Sequence, residues 1–300
     1  MKYIINNNTF ELKDIFECGQ CFRWNEEDNG SYTGIFKNCV LNVEKENDKI
    51  IFDGDIFENT YLTDSKFSSQ FEKEEAFKNA INNYFDLNRD YEEIKKKLSK
   101  IDDNLKTSIS YGKGIRILNQ DLFETIISFI ISANNNIPRI KKIIERLSEN
   151  YGKEVIFNGK KYYTFPNKED LKKASVNDFR NLGLGFRDVR VYNTTRKIAN
   201  NEFDLNRLYN MKTEDVANEL LTLDGVGPKV CDCILLFSDL KRFDVFPIDV
   251  WVRRVMNELY IHNEDEKKVN KKEIRKLADE KFGALEGIAQ QYLFYWKREA

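Results

Sequence analysis

Short apolar runs separated by turn signals mark the first 65 or so residues as β-rich. Val40-Leu41-Asn42-Val43 and Lys49-Ile50-Ile51-Phe52 are runs of strand type. Asp28-Asn29-Gly30 and Asp53-Gly54-Asp55 break the pattern with the chemistry of hairpin turns. From about Glu72 the period lengthens. Tyr91-Glu92-Glu93-Ile94-Lys95-Lys96-Lys97-Leu98 spaces its apolar residues three and four apart among charges that pair one turn away, which predicts a helix. Residues 122–133 are almost wholly apolar, which predicts a buried helix, and 137–147 is amphipathic with Ile140, Ile143, Ile144 and Leu147 on one face. A β excursion follows, with Val155-Ile156-Phe157 and Tyr162-Tyr163-Thr164 on either side of Asn158-Gly159. Helical patterns then resume over 188–200, 213–221, 228–237, 250–259, 271–282 and 285–296. No repeat or low-complexity linker interrupts the chain. The pattern predicts an α+β protein, with a β-rich N-terminal part (1–117) and a helical C-terminal part (118–300).

Composition narrows the classes. The 300 residues are 41% hydrophobic and 33% charged with four prolines, the balance of a soluble globular chain with a sizeable core. No run approaches the roughly 18 consecutive apolar residues of a membrane span. Residues 1–10 carry three asparagines and lack the apolar stretch of a secretion signal, so a cytoplasmic location and no membrane partner are expected. Five cysteines, an odd number in two local clusters, argue against a disulfide framework. Cys18 and Cys21 have the spacing of a zinc or redox pair, but a closed zinc site needs four ligands and only Cys39 lies nearby. Small buried residues are the expected reading of these thiols, and no metal is expected. The single histidine, His262, lies in a polar stretch, which disfavours histidine acid–base chemistry. A net charge of −2 does not announce nucleic acid, so any DNA contact has to come from local geometry.

Chemistry concentrates in Leu220-Leu221-Thr222-Leu223-Asp224-Gly225-Val226-Gly227-Pro228-Lys229-Val230. A helix ends, two glycines permit a tight turn, and a proline opens the next helix at its first position. Such a hairpin presents the backbone N–H groups of Gly225, Val226 and Gly227 beside a helix N-terminus, which binds phosphate without any positive side chain. A plain helix–turn–helix connection or a non-catalytic hairpin module explains the segment equally well on its own. Twenty residues on, Asp249 directly precedes the helix beginning at Val250, which makes it an N-cap. A carboxylate fixed there can also stabilise positive charge developing on a sugar. Lys229 and Asp249 together suggest attack by an amine on an electrophilic carbon, with a Schiff base as product.

This combination resembles the helix–hairpin–helix, glycine/proline-rich-loop, aspartate superfamily of DNA glycosylases. In that superfamily a lysine at the position of Lys229 marks members that both release a base and cleave the abasic strand. Branches with an iron–sulfur cluster carry four cysteines near the C-terminus, whereas the last one here is Cys233, so the endonuclease III and adenine-glycosylase branches are disfavoured. Cys18-Gly19-Gln20-Cys21-Phe22-Arg23-Trp24 resembles the Gly-Gln-x-Phe-Arg-Trp signature of the 8-oxoguanine DNA glycosylases, and Asn134-Asn135-Asn136-Ile137-Pro138-Arg139-Ile140 their Asn-Asn-Asn-Ile-x-Arg-Ile segment. The resemblance implies a TBP-like antiparallel sheet before the helical domain. It also implies that the Gly19 carbonyl accepts the N7–H that oxidised guanine has and guanine lacks, a discriminator of sound physics because an unpaired buried carbonyl is costly. Asn134 fills the gap left by the extruded base, Phe186 wedges into the stack, and Arg139 with Arg187 reads the orphaned cytosine. Gln290 meets the Watson–Crick edge of the lesion, Phe294, one turn on, stacks on its ring, and Cys233 covers the other face. Individually, ordinary core packing explains Cys233 and Phe294 as well. Two positions depart from the family: Trp251 stands where many members have a phosphate-contacting histidine, and Lys297 where they have its aspartate partner.

The reading is therefore base excision of 8-oxoguanine, preferably opposite cytosine, from duplex DNA by base flipping, with lyase cleavage through a lysine Schiff base. No cofactor is implied. The expected partner is double-stranded DNA containing oxidised guanine, the expected state a monomer, and the expected setting the nucleoid of a bacterium, in keeping with asparagine-, lysine- and isoleucine-rich usage. A same-fold glycosylase for alkylated or other oxidised bases, a catalytically silent damage-binding module and a redox protein using Cys18 and Cys21 are the alternatives.

Overall fold

In a computed structural model, residues 1–7, 9–57 and 67–299 are described. The N-terminal sheet has five antiparallel strands: β1 (Lys2–Asn6), β2 (Trp24–Glu26), β3 (Tyr32–Phe36), β4 (Cys39–Glu46) and β5 (Lys49–Ile56), in the order β1-β5-β4-β3-β2. Two helices cover one face, α1 (Leu12–Phe16) and α2 (Gln70–Tyr84), around a cluster of stacked rings. Phe16 lies 4.2 Å from Trp24, and Phe36 lies 4.0 Å from Tyr84, whose hydroxyl accepts the Trp24 indole N–H at 2.9 Å. The last part of the expected β-rich stretch, 58–65, lies outside the described residues.

Turn chemistry was right at one glycine and wrong at another. Asp28-Asn29-Gly30 turns between β2 and β3, with Gly30 at φ +80° and its N–H donating to the Glu27 carbonyl at 2.9 Å. Asp53-Gly54-Asp55, in contrast, lies inside β5, where Gly54 pairs with Leu41. A Cβ on Gly54 would stand 2.2 Å from the Val40 carbonyl oxygen, so this glycine serves close strand approach rather than a turn. The hairpin between β4 and β5 turns instead at Asn47-Asp48, with Asn47 in the left-handed region at φ 55°.

The helical body begins before residue 117. Helices α3 (Tyr91–Leu98) and α4 (Asp103–Tyr111) pack into the same core as α5 (Leu122–Ser132), α6 (Ile137–Tyr151) and the later helices. The apolar α5 is its axis, as its sequence predicts, with Ile126, Ile127, Ile130 and Ile131 fully buried. The hairpin β6 (Glu154–Phe157) and β7 (Lys160–Tyr163) turns at Asn158-Gly159. Beyond it run α7 (Lys168–Leu171), α8 (Val176–Asn181), α9 (Asp188–Ala199), α10 (Thr213–Leu220), α11 (Pro228–Phe237), α12 (Val250–Met256), α13 (Lys271–Phe282) and α14 (Glu286–Glu299). The two parts are sewn together: Cys18 and Phe22 belong to the helical core, and Gln120 donates to the Gln20 carbonyl at 2.7 Å. Among the described residues no helix is long and apolar enough to cross a membrane.

One buried charge sets a pH dependence of stability. Glu286 is 6% exposed, and burial pushes its carboxyl from 4.5 up to about 7 in spite of Arg275. A raised carboxyl favours the folded state while it is protonated, so its contribution is full below about 4.5 and lost as pH rises through about 7. Glu286→Gln is expected to stabilise the fold at pH 8 by on the order of 2 kcal/mol, a few degrees in Tm, with little effect at pH 5. Thermal melts of both proteins at the two pH values check this; a variant destabilised equally at both would refute it.

Candidate active site

The hairpin between α10 and α11 is built by its glycines. Gly225 holds φ +87°, and a Cβ there would stand 2.9 Å from Ile130 Cγ2 and 3.1 Å from Arg190 Cβ, so only glycine lets the turn seat on α5 and α9. Thr194 donates to the Asp224 carbonyl at 2.9 Å, and Asn193 to the Asp224 carboxylate at 2.6 Å, tying the turn to α9. Gly227 caps α11 with open space around it, and Pro228 occupies the first helical position. The Val226 N–H, one of the three expected phosphate donors, is already engaged within the turn, donating to the Leu223 carbonyl at 3.1 Å.

Lys229 follows on the first turn of α11, half-buried, with Nζ 5.4 Å from the Phe129 ring centroid. Cys233, one turn on, is buried against it. Burial pushes its thiol up to about 11, while the Lys229 charge and a hydrogen bond from Lys229 pull downward and the carboxylates of Asp232 and Asp249 push upward. Of these charges Lys229 acts on the thiol more strongly than Asp249. Asp249 is the N-cap of α12, its Oδ1 accepting the Val252 N–H at 2.7 Å.

Three of the residues expected to hold a base, Gly19, Gln290 and Phe294, lie where the loop around Gly19 meets α14. Gly19, at φ +87°, lies against α14: its missing Cβ would be 3.6 Å from Phe294 Cε1. Gln290, one turn before Phe294, is 5% exposed, and its Oε1 has no hydrogen-bond partner among the described residues. A buried amide oxygen without a partner is costly and marks a place where a ligand donor belongs. Cys18 and Cys21 are buried behind the loop; burial pushes Cys18 up to about 12 and Cys21 well above the usual thiol range, so neither supplies the thiolate that redox chemistry needs.

A second cluster forms the edge near the hairpin. Asn134 adopts the left-handed conformation at φ 51° at the end of α5 and is exposed, and Phe186 is also exposed. Arg139 is exposed with Nη2 on the Gly183 carbonyl at 3.1 Å. Arg187 departs from the expected picture of a free reading head. It is 1% exposed, and its guanidinium donates to the carbonyls of Ala133 (2.8 Å), Asn134 (2.7 Å) and Leu184 (3.2 Å). In this state it braces the Asn134 turn against the Phe186 turn. Arg139 and Arg190 lie near enough to act on its charge, so the edge is locally cationic on a chain of net charge −2.

The two departing positions do not pair with each other. Lys297 bonds Glu258 at 2.6 Å, and Trp251 stands half-exposed with Arg254 5.2 Å from its ring. A cavity of about 440 Å³ lies elsewhere, between the start of α5 and residues 164–170 and 201–209. None of the residues above lines it. Sequence reasoning missed Phe129, Gln291 and Arg298; Phe129 sits in an all-apolar helix that reads only as core.

The sequence matches the family described as 8-oxoguanine DNA glycosylase, N-terminal domain, over residues 2–126, and the HhH-GPD superfamily of base excision DNA repair proteins over 127–280. The chain belongs to that base-excision repair superfamily. A probable N-glycosylase/DNA lyase of Methanothermobacter thermautotrophicus is 34% identical over 247 residues, 76% of this chain and 77% of the relative. The 8-oxoguanine glycosylase/lyase of Clostridium acetobutylicum in its apo form is 44% identical, with a TM-score of 0.87 over 98% of this chain and 96% of that one. In complex with duplex DNA containing cytosine opposite 8-oxoguanine, the same enzyme matches at 43% identity and TM-score 0.87, over 100% and 98%. Within the superfamily, the chain is a member of the 8-oxoguanine DNA glycosylase/lyase family.

Proposed function

We propose that the protein excises 8-oxoguanine from duplex DNA, preferably opposite cytosine, and then cleaves the abasic strand through a Schiff base on Lys229. The observation that carries this reading is the buried Oε1 of Gln290, without a hydrogen-bond partner among the described residues, on the helix that sets Phe294 against Gly19. An extruded purine offers its Watson–Crick edge to that oxygen, stacks on Phe294 with Cys233 on its other face, and gives its N7–H to the Gly19 carbonyl. Unmodified guanine has a lone pair at N7 and loses that contact.

Lys229, as the free amine, attacks C1′ while the base leaves, and Asp249 stabilises the cationic sugar. The Schiff base acidifies the neighbouring C2′ position, so β-elimination breaks the strand on the 3′ side. The amides of Gly225 and Gly227 grip a phosphate, while that of Val226 holds the turn closed on the Leu223 carbonyl. Phe186 and Asn134 fill the vacated stack, and Arg139 reads the cytosine, joined by Arg187 once its braces release. The protein acts as a monomer in the bacterial nucleoid.

Duplexes holding 8-oxoguanine opposite each of the four bases test the proposal. Excision should be fastest opposite cytosine, and borohydride should trap a covalent complex. Equal rates opposite all four bases would remove the role given to Arg139 and Arg187, and no excision from any would overturn the reading.

A further inference from the structure

A carbonyl that tells one hydrogen from none must be held within about half an ångström of its working position. Glycine is the residue least able to do that for itself, since it ranges over both halves of backbone space. The loop from Glu17 to Gln20 solves the problem with pins on the peptides around Gly19, and two of the pins come from α14. Gln291, 1% exposed, donates from Nε2 to the Cys18 carbonyl at 2.5 Å. Arg298, two turns further along the helix, donates from Nη2 to the Glu17 carbonyl. Its guanidinium lies 5.1 Å from the Phe294 ring centroid, and its Nη1 lies 3.2 Å from where a Gly19 Cβ would be.

On the far side of Gly19, the Gln20 carbonyl accepts Gln120 Nε2 at 2.7 Å. The buried Gln20 side chain donates to the carbonyls of Ile15 and Arg116, both at 2.9 Å, and accepts the Leu118 N–H at 2.9 Å. The peptide plane before Gly19 is fixed by Gln291, and the residue after it is fixed by its own amide. The direction of the Gly19 carbonyl between them follows. Gln290 and Phe294 stand on α14 beside Gln291 and Arg298, so the helix that carries the Phe294 wall of the base pocket also holds the Gly19 loop in place.

We infer that Gln291 and Arg298 are positioning residues that aim the Gly19 carbonyl, and so set recognition of the oxidised base without touching it. The inference rests on the function proposed above. It separates base excision, which needs the aimed carbonyl, from cleavage of a preformed abasic site, which has no base to read.

Gln291→Met keeps the volume of the side chain and removes the donor. Single-turnover excision of 8-oxoguanine opposite cytosine should fall roughly ten- to thirtyfold, because small misplacements at a reacting site have effects of that size. Cleavage of an abasic duplex by the same variant should stay within about twofold of the wild type. Arg298→Met, at a more exposed position, should show the same split to a smaller degree and stands in if Gln291→Met does not fold. Excision and abasic cleavage falling together, or neither falling, would overturn the inference while leaving the proposed function intact. Absence of 8-oxoguanine excision by the wild type would overturn the function, and the inference with it.

Discussion

Lys229→Gln is expected to reduce base excision at least about a thousandfold and to abolish borohydride trapping, while duplex binding stays close to that of the wild type. The argument is one of division of labour. Glutamine preserves most of the length and packing of the side chain beside Phe129, but its amide nitrogen is no nucleophile, so the covalent path closes altogether. The phosphate grip assigned to the hairpin uses backbone N–H groups, which the substitution leaves in place. Gly225 still holds its φ of +87°, and Asp249 still caps α12. A gel-shift titration with a lesion duplex, a single-turnover excision assay and a trapping reaction together decide the matter. Excision at near-normal rate by the variant would show that the base leaves without Lys229, and a large loss of binding would show that the hairpin depends on the ammonium. Abasic-strand cleavage should disappear with excision, since both proceed through the same amine.

What the sequence revealed of this architecture tracks how local the causes were. Asn158-Gly159 turned where expected because its chemistry lies within two residues, and residues 122–133 were read as a buried helix because no polar face competes. The hairpin before Lys229 and the Asp249 cap are legible for the same reason: a glycine hairpin and a helix cap each announce themselves in a handful of positions. Gly54 misled because the Asp-Gly signal is also what a close strand crossing requires, and the distinction is made by Val40 on another strand. The short helices α4, α7 and α8 escaped the periodicity reading, having only 9, 4 and 6 residues. Their caps were legible in principle, since Asp102, Asn167 and Ser175 each accept an N–H three residues on. Gln291 and Arg187 were not legible. The first acts across 273 residues of sequence and the second across 53 or 54, and nothing near either position signals the partner carbonyl.

Asp249 offers the sharper test, because its two roles respond differently to two substitutions. As a cap, it accepts the Val252 N–H at 2.7 Å through one oxygen. Asparagine caps about as well as aspartate, whereas alanine forfeits roughly 1 kcal/mol. As a charge, its proposed role is to favour the cation that forms as the base departs, an effect of about 10²–10³ in rate for one well-placed electrostatic partner. Asp249→Asn should therefore keep Tm within about a degree and still lose excision by that factor. Asp249→Ala should lose excision equally and in addition lower Tm by a few degrees. The comparison works because the two losses are read on different axes, rate and melting temperature, and only one substitution moves both. If Asp249→Asn excises normally, the residue is a helix cap and nothing more, and the charge that steadies the sugar must come from elsewhere. Asp232 would then be the group to test, since it lies close enough to Lys229 for that charge to pull its carboxyl downward, with burial outweighing the pull and leaving it at about 6. Its pairing with Arg275 at 2.6 Å holds it on the opposite account, as an anion already neutralised by a partner, which is why Asp249 remains the carboxylate on which the rate should depend.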